Sequence, residues 1–188
     1  MKKIILFVAA FLAVTATQAQ TQQEVAARKD INHLKKEERA ERKTLRKLEG
    51  HDVSVQSKDQ FSVDFGNIPN VHWKRNGYFD EAVFTQKGVK EKAYYDFNST
   101  LVGTVIPKTF SDLPKSAQDR IRKEYKNYKI DRVILFDDNE SNESDMILYG
   151  TQFDDADNYF VELSTPGKNL ILMVSTDGNV SFFKEMKK

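Results

Sequence analysis

Two stretches of equal length indicate the fold: YFDEAVFTQKGVKEKAYYDFNSTLVGTV at residues 78–105 and DNYFVELSTPGKNLILMVSTDGNVSFFK at residues 157–184. The second can be laid over the first from end to end without a gap. Ala82 then falls on Val161 and Gly88 on Gly167. The match lies in hydrophobic pattern and turn glycines far more than in identity. It therefore predicts a duplicated structural unit rather than a duplicated active site.

Each stretch has the pattern of three strands joined by short turns. In the strand predicted to end at Phe97, Ala93 and Tyr95 share one face, while Lys92 and Tyr94 share the other, as expected for a sheet with one covered face. The predicted strands are Val71–Lys74, Tyr78–Gln86, Val89–Phe97, Leu101–Ile106, Ile130–Phe136, Met146–Phe153, Asp157–Ser164, Leu170–Ser175 and Val180–Lys184.

A helix is predicted before each set of strands, from Ser57 to Phe65 and from about Pro114 to Tyr125. The fold class is therefore α+β, with two tandem units of a helix and an antiparallel meander at residues 51–110 and 111–188. When the two helices are matched, with Phe61 on Ile121, the second unit is longer than the first between its helix and the shared strands. We assign the additional residues to an extra acidic hairpin in which 130–136 pairs with 146–153.

Residues 20–50 differ in composition from the rest of the chain. They mix basic and acidic side chains, contain no proline, and end at Gly50, a residue suited to terminating a helix. The apolar heptad stripe is interrupted by Glu38 and Glu41, which argues against a coiled coil. We predict a charged helical arm supported by i,i+4 ion pairs.

The N-terminus has the features of a secretory signal peptide at residues 1–19. Lys2 and Lys3 precede an apolar run that is too short to span a bilayer, and Thr17-Gln18-Ala19 suits cleavage after Ala19. We expect export to the periplasm or beyond, with no membrane span in the mature chain. The sequence contains no cysteine, which excludes disulfides, thiol catalysis and thiolate metal sites.

A resemblance to the PepSY-like or β-lactamase-inhibitor-protein-like (BLIP-like) group rests on four segments. They are Asp112-Leu113-Pro114, the helix stripe through Ile121 and Tyr125, residues 159–163, and Asp177-Gly178-Asn179-Val180. The resemblance covers residues 53–186 and implies a protein-binding or inhibitory module of the bacterial cell envelope rather than an enzyme. It transfers no contact residue, because no specific contact motif is present.

The residues themselves also give little indication of catalysis. There is no G-x-S-x-G, H-E-x-x-H, P-loop or G-x-G-x-x-G motif, and the three histidines are His33, His51 and His72. We therefore predict a non-enzymatic binding module with no catalytic residue and no cofactor, whose partner is another, unidentified envelope protein. A nucleic-acid partner is not expected, because the basic arm has no interleaved aromatic residues and the protein is predicted to be exported.

An alternative function is a calcium- or ligand-responsive envelope protein that uses the acidic segment 137–157. Its candidate metal ligands are Asp137, Asp138, Glu140 and Asp145. Carboxylates are suitable oxygen ligands for calcium, although the segment lacks the glycine and terminal glutamate of an EF-hand loop. A solvated acidic loop that keeps the end of the sheet soluble is the competing interpretation.

Aromatic residues on the strands are the candidate partner-binding groups. We expect Tyr94, and with it Trp73, to stand on the sheet face away from the helices, where exposed aromatic side chains can anchor a partner protein. The competing interpretation is that both faces of the sheet are covered and that these residues belong to the core.

Overall fold

The structure is a computed structural model that describes residues 52–186 continuously, together with positions 28, 29, 33, 37, 40, 41, 44, 48 and 50. The predicted signal peptide at residues 1–19 lies outside the described residues, as does most of the predicted arm at 20–50. The positions described between 28 and 48 have helical backbone and exposed side chains. The arm as a whole stays a prediction.

The fold is α+β and mostly antiparallel sheet. Helix α1 spans Val55–Phe65 and helix α2 spans Lys115–Glu124, with a short 3-10 turn at Phe110–Asp112 before α2. The strands are β1 (His72–Asn76), β2 (Phe79–Gln86), β3 (Val89–Tyr95), β4 (Leu101–Lys108), β5 (Lys129–Asp138), β6 (Met146–Leu148), β7 (Thr151–Phe153), β8 (Asn158–Thr165), β9 (Lys168–Ser175) and β10 (Val180–Met186).

Eight of the strands form one sheet in the order β1-β2-β3-β4-β5-β8-β9-β10, and every neighbouring pair is antiparallel. Strands β8, β9 and β10 begin at the positions onto which the sequence overlay carries the first residues of β2, β3 and β4. Pairing of β4 with β5 joins the strands of the two predicted units into a single sheet. The division into residues 51–110 and 111–188 stays a prediction.

Both helices pack on one face of this sheet, which we call the helix face. On α1, Phe61 is buried against Phe84 and Tyr95 in a cluster that also contains Ala82 and Ala93. On α2, Ala117 and Ile121 are buried in a second cluster, because their i, i+4 spacing places both on one side of the helix. The other members of this second cluster are Leu113, Val133, Val161, Leu163, Leu170, Leu172, Val174 and Val180.

The opposite face, which we call the hairpin face, is covered by β6 and β7. Met146 and Phe153 are buried on Phe136 and Phe160, and the rings of Phe153 and Phe160 are 5.0 Å apart. The predicted pairing of 130–136 with 146–153 is wrong: β6 pairs with β7, while β5 pairs with β4 and β8. Tyr149 and Gly150 have φ of 52° and 71°, which makes a tight turn inside the segment predicted as one strand.

Candidate functional site

A cleft of about 520 Å³ opens on the hairpin face, between the sheet and the β6–β7 hairpin. Its volume lies in the range of ordinary ligand pockets. We call it the hairpin cleft. The residues that line it are Lys74, Asn76, Gly77, Tyr78, Phe79, Glu81, Lys92, Tyr94, Val105, Arg132, Ile134, Ile147, Leu148, Tyr149 and Gly150.

The polar groups of the cleft are positioned by strand register. Lys74, Glu81 and Tyr94 lie in one row across β1, β2 and β3, because Lys74 is opposite Glu81 and Glu81 is opposite Tyr94. Arg132 on β5 is opposite Glu162 on β8 in a second row. Cross-strand neighbours are close enough to interact, so each row brings a cation to a carboxylate.

Glu81 is the buried carboxylate of the first row. Lys92 Nζ lies 3.0 Å from Glu81 Oε1, and Lys74 Nζ lies 3.9 Å from Glu81 Oε2. The Tyr94 hydroxyl also hydrogen-bonds to Glu81. Burial is the main cause that raises the pKa of Tyr94 far above its usual value, and the neighbouring Glu81 charge adds to it. Tyr94 is therefore a neutral hydrogen-bond donor.

The second row has the same chemistry. The Tyr149 hydroxyl, carried by the hairpin turn, donates to Glu162 Oε1 at 2.8 Å, and Arg132 Nη1 lies 3.7 Å from the same oxygen. Burial and the charge of Glu162 raise the pKa of Tyr149 well above its usual range. Lys184 donates to the backbone carbonyl oxygen of Tyr149. The hairpin is thus fastened to the sheet by polar contacts as well as by its apolar side chains.

A second, shallower depression lies beside the cleft and shares its rim. Tyr78, Phe79 and Ile147 line both depressions, and Phe97 lines only the shallower one. Tyr78 and Phe97 are exposed large aromatic side chains. The mouth of the hairpin cleft is therefore bordered by accessible apolar surface.

The two predicted partner-binding residues lie on opposite faces of the sheet. Tyr94 is buried in the wall of the hairpin cleft, so it is not an exposed anchor. Trp73 is on the helix face, where its ring centroid is 5.5 Å from that of Phe61 and 6.0 Å from that of Tyr95. A single partner-binding surface containing both residues is ruled out by this geometry.

Sequence reasoning missed most of the polar residues of the cleft. Side chains alternate between the two faces along β3, which places Lys92 on the same face as Tyr94. This alternation was the signal in the sequence that could have identified Lys92 as a residue of the cleft. Glu81, Arg132 and Tyr149 could not be added, because their approach depends on register and on the hairpin that folds over the sheet.

The predicted metal ligands do not form one site. Asp138 and Glu140 line a depression of about 610 Å³ at the end of β5, whereas Asp145 lines the depression beside Phe97 and accepts a hydrogen bond from Gln152. Within residues 52–186 and the single positions described before them, no group of three or more His, Cys, Asp or Glu side chains is arranged to hold a metal ion. The calcium alternative stays a prediction.

Within the acidic segment, Asp138 has a raised pKa. Burial and the carboxylates of Asp155 and Asp157 raise the pKa of Asp138 to about 7. Asp157 Oδ1 also accepts a hydrogen bond of 2.8 Å from the backbone N–H of Asp138. Asp138 therefore retains its proton to a higher pH than an ordinary aspartate.

Comparisons with known proteins agree with the architecture. No protein-family model matches the sequence, and no curated protein matches it significantly. Solved structures do match, and the chain has a BLIP-like fold. A BLIP-like protein from Bacteroides fragilis is 18% identical, with a TM-score of 0.53 over 72% of this chain and 86% of its own.

Two further Bacteroides structures share the fold. A DUF2874 family protein from Bacteroides uniformis is 12% identical, with a TM-score of 0.57 over 69% of this chain and 86% of its own. A protein from Bacteroides eggerthii, assigned provisionally to the periplasm, is 9% identical, with a TM-score of 0.57 over 72% and 88%. At these identities the likeness concerns the fold alone. The PepSY resemblance stays a prediction.

No helix among the described residues is long and apolar enough to cross a membrane.

Proposed function

We propose that this chain is an exported, non-enzymatic binding protein of the bacterial cell envelope, and that it binds its partner protein through the hairpin cleft. The observation that carries the proposal is the cleft itself. It combines accessible cations and apolar side chains with the buried carboxylate of Glu81, on the sheet face opposite the helices. Such a mixture is suited to recognition of a partner surface.

The polar groups of the cleft suit binding better than catalysis. Glu81 is held by Lys92 and by the Tyr94 hydroxyl, and Glu162 by Tyr149 and Arg132. The raised pKa values of both tyrosines keep their hydroxyls protonated, so neither serves as a base near neutral pH. A general base needs a free acceptor within reach of a substrate, and these carboxylates are already occupied.

Export of the protein, duplication of its structural unit and the helical arm are inferred from the sequence together with the fold. The predicted signal peptide at 1–19 and the fold shared with a provisionally periplasmic protein support export. The constant spacing between the starts of three strand pairs supports duplication of a helix-plus-meander unit. The charged composition of residues 20–50 supports a helical arm in front of the domain.

Site-specific photo-crosslinking in the native cell tests the binding surface. A benzophenone amino acid at Tyr78, on the rim of the cleft, should give a covalent adduct of discrete mass with an envelope protein. The matched control carries the same group at Val63, an exposed residue of α1. The adduct from position 78 should be lost when Lys92→Glu reverses the charge of a cleft residue.

The results separate the possible outcomes. A discrete adduct from position 78 and none from position 63 supports the cleft. Equal adducts from both positions, or an adduct from position 78 that Lys92→Glu leaves unchanged, would overturn the proposed binding surface. Catalytic turnover of the captured protein by the purified chain would overturn the non-enzymatic assignment.

A further inference from the structure

The walls of the hairpin cleft carry unequal numbers of positive and negative groups. The lining contains three cationic side chains, Lys74, Lys92 and Arg132, and one carboxylate, Glu81. Glu162, which contacts Arg132 and Tyr149, contributes a second carboxylate. These five side chains therefore carry a net charge of +1, in a concave site that focuses the field.

The cations and carboxylates also differ in depth. The side chain of Glu81 is 5% exposed, whereas those of Lys74, Lys92 and Arg132 are 61%, 37% and 50% exposed. Glu81 thus lies at the floor of the cleft, whereas the three cations lie nearer its mouth; Glu162, beside Arg132, is 28% exposed. A group entering from solvent meets the cations first.

The cations keep hydrogen-bonding capacity for a ligand. An ammonium group has three donors and a guanidinium five, and the contacts of 3.9 Å at Lys74 and 3.7 Å at Arg132 are too long for strong hydrogen bonds. The hydroxyls of Tyr94 and Tyr149 instead help to satisfy the two carboxylates. An incoming carboxylate would find donors without displacing these contacts.

Apolar surface lies directly beside these cations. Ile147 and Leu148 form part of the hairpin wall, and Tyr78 stands exposed on the rim. A free small anion would use the charges and leave this surface uncovered. A peptide segment with an apolar side chain next to an acidic one would use both.

From this arrangement we propose that the hairpin cleft recognises an acidic side chain, Asp or Glu, that is flanked by an apolar residue in a segment of the partner protein. The inference rests on the proposed function and specifies its ligand class. The carboxylate lies among Lys74, Lys92 and Arg132, and the flanking apolar residue packs on Ile147 and Tyr78.

Titration of the full chain with blocked peptides tests the inference. The acidic probe is acetyl-Phe-Asp-Leu-Glu-Phe-amide, and its neutral counterpart is acetyl-Phe-Asn-Leu-Gln-Phe-amide. Backbone amide NMR shifts report both affinity and location, and sodium acetate is titrated separately. The acidic peptide should shift amides of β1, β3, β5 and the β6–β7 hairpin, with an affinity about tenfold above that of the neutral peptide, and added salt should weaken it.

Substitutions then assign the effect to the cleft. Lys92→Met keeps most of the side-chain volume but removes the charge, and should weaken the acidic peptide about tenfold while leaving the neutral peptide unchanged. Lys123→Met on α2 is the matched control, since it removes the same charge from an exposed position on the helix side of the sheet. It should have no effect on either peptide.

Several results would overturn the inference. The inference fails if the two peptides bind with equal affinity, or if Lys92→Met and Lys123→Met have equal effects. It also fails if acetate binds as tightly as the acidic peptide, or if millimolar peptide causes no shifts at the cleft. If both peptides shift the cleft amides with equal affinity, the proposed preference for an acidic side chain is overturned, but the proposed binding surface is still supported. The crosslinking result at Tyr78 is independent of all of them.

Discussion

Arg75 and Asp80 form a buried two-point ion pair across β1 and β2: Arg75 Nε donates to Asp80 Oδ1 at 2.8 Å, and Nη2 donates to Oδ2 at 3.1 Å. Asp80 also accepts hydrogen bonds from Ser57 Oγ at 2.8 Å and from the backbone N–H of Ser54 at 3.1 Å. Ser54 is the N-cap of α1. The pair therefore ties the start of α1 to the first two strands of the sheet.

Asp80→Asn should destabilise the protein by about 3–5 kcal/mol, because it removes the charge of a buried carboxylate that accepts hydrogen bonds from Arg75, Ser57 and Ser54. Chemical denaturation measures the loss. Arg75→Met combined with Asp80→Asn should recover part of it, since the ion pair is then removed from both sides while the new amide oxygen can still accept from Ser57. The exposed ion pair of Lys115 and Asp119 is the control, and Asp119→Asn should change stability far less. Equal losses at positions 80 and 119 would contradict the prediction.

Gly103, at the pairing of β4 with β5, should be intolerant of a larger side chain. A Cβ at this position would lie 2.5 Å from Phe136 Cζ and 2.7 Å from the backbone oxygen of Asp137. Gly103→Ala should therefore cost about 1–3 kcal/mol in thermal or denaturant unfolding. Gly167→Ala is the matched control, because a Cβ there meets nothing within 4 Å. A Gly103→Ala protein as stable as the Gly167→Ala protein would show that β4 and β5 do not approach this closely.

The strands could be located from sequence because turn glycines and apolar alternation fix them locally. Gly88 and Gly167 mark equivalent turns, and Ala82 and Val161 are both buried on the helix face. The same pattern could not predict which face of the sheet is covered by the helices and which by the β6–β7 hairpin. Tyr94 and Tyr95 are adjacent, point to opposite faces and are both buried, so polarity does not separate a helix-covered face from a hairpin-covered one.

The candidate site was less predictable than the fold for a related reason. Its ion pairs join residues far apart in sequence, such as Arg132 with Glu162 and Lys92 with Glu81. The sequence pattern places these side chains on strands, but only the pairing register of the strands brings them together. Likewise, the turn at Tyr149 sends its hydroxyl to Glu162, a contact that a continuous strand over 146–153 would not make.

Asp138 should make stability fall as the pH rises from about 4 to about 7. Its pKa is raised from 3.8 to about 7 in the folded protein by burial and by Asp155 and Asp157. In that window the unfolded chain has released the proton and the folded chain still holds it, so rising pH favours unfolding. After allowance for solvent screening, the effect is about 1–2 kcal/mol.

Denaturation midpoints measured between pH 4 and pH 8 check the Asp138 prediction. Asp138→Asn should flatten this part of the profile and be more stable than the wild type at pH 8, because the amide keeps a polar group beside Asp155 without requiring a proton. The same substitution at Asp59, exposed on α1, should leave the shape of the profile unchanged. An Asp138→Asn profile parallel to that of the wild type would refute the assignment.

Phe153 should be the main apolar anchor of the hairpin that forms one wall of the cleft. Its ring is 5.1 Å from that of Phe136 and 5.0 Å from that of Phe160, measured between centroids, and the side chain is only 6% exposed. Phe153→Ala should cost about 3–5 kcal/mol, because it removes buried apolar contacts and leaves a cavity under the hairpin. Hydrogen exchange of the amides of residues 146–153 should accelerate more than that of β9.

Phe182→Ala is the matched control for Phe153, since the same side chain is removed from a position that is 60% exposed. It should change stability by less than about 0.5 kcal/mol and leave exchange in the hairpin unaltered. If Phe153→Ala were as mild as Phe182→Ala, the hairpin would be held chiefly by its polar contacts, the Tyr149–Glu162 hydrogen bond and the contact of Lys184 with the Tyr149 carbonyl. Tyr149→Phe would then be the more destabilising substitution, whereas a hairpin anchored by Phe153 predicts the reverse order.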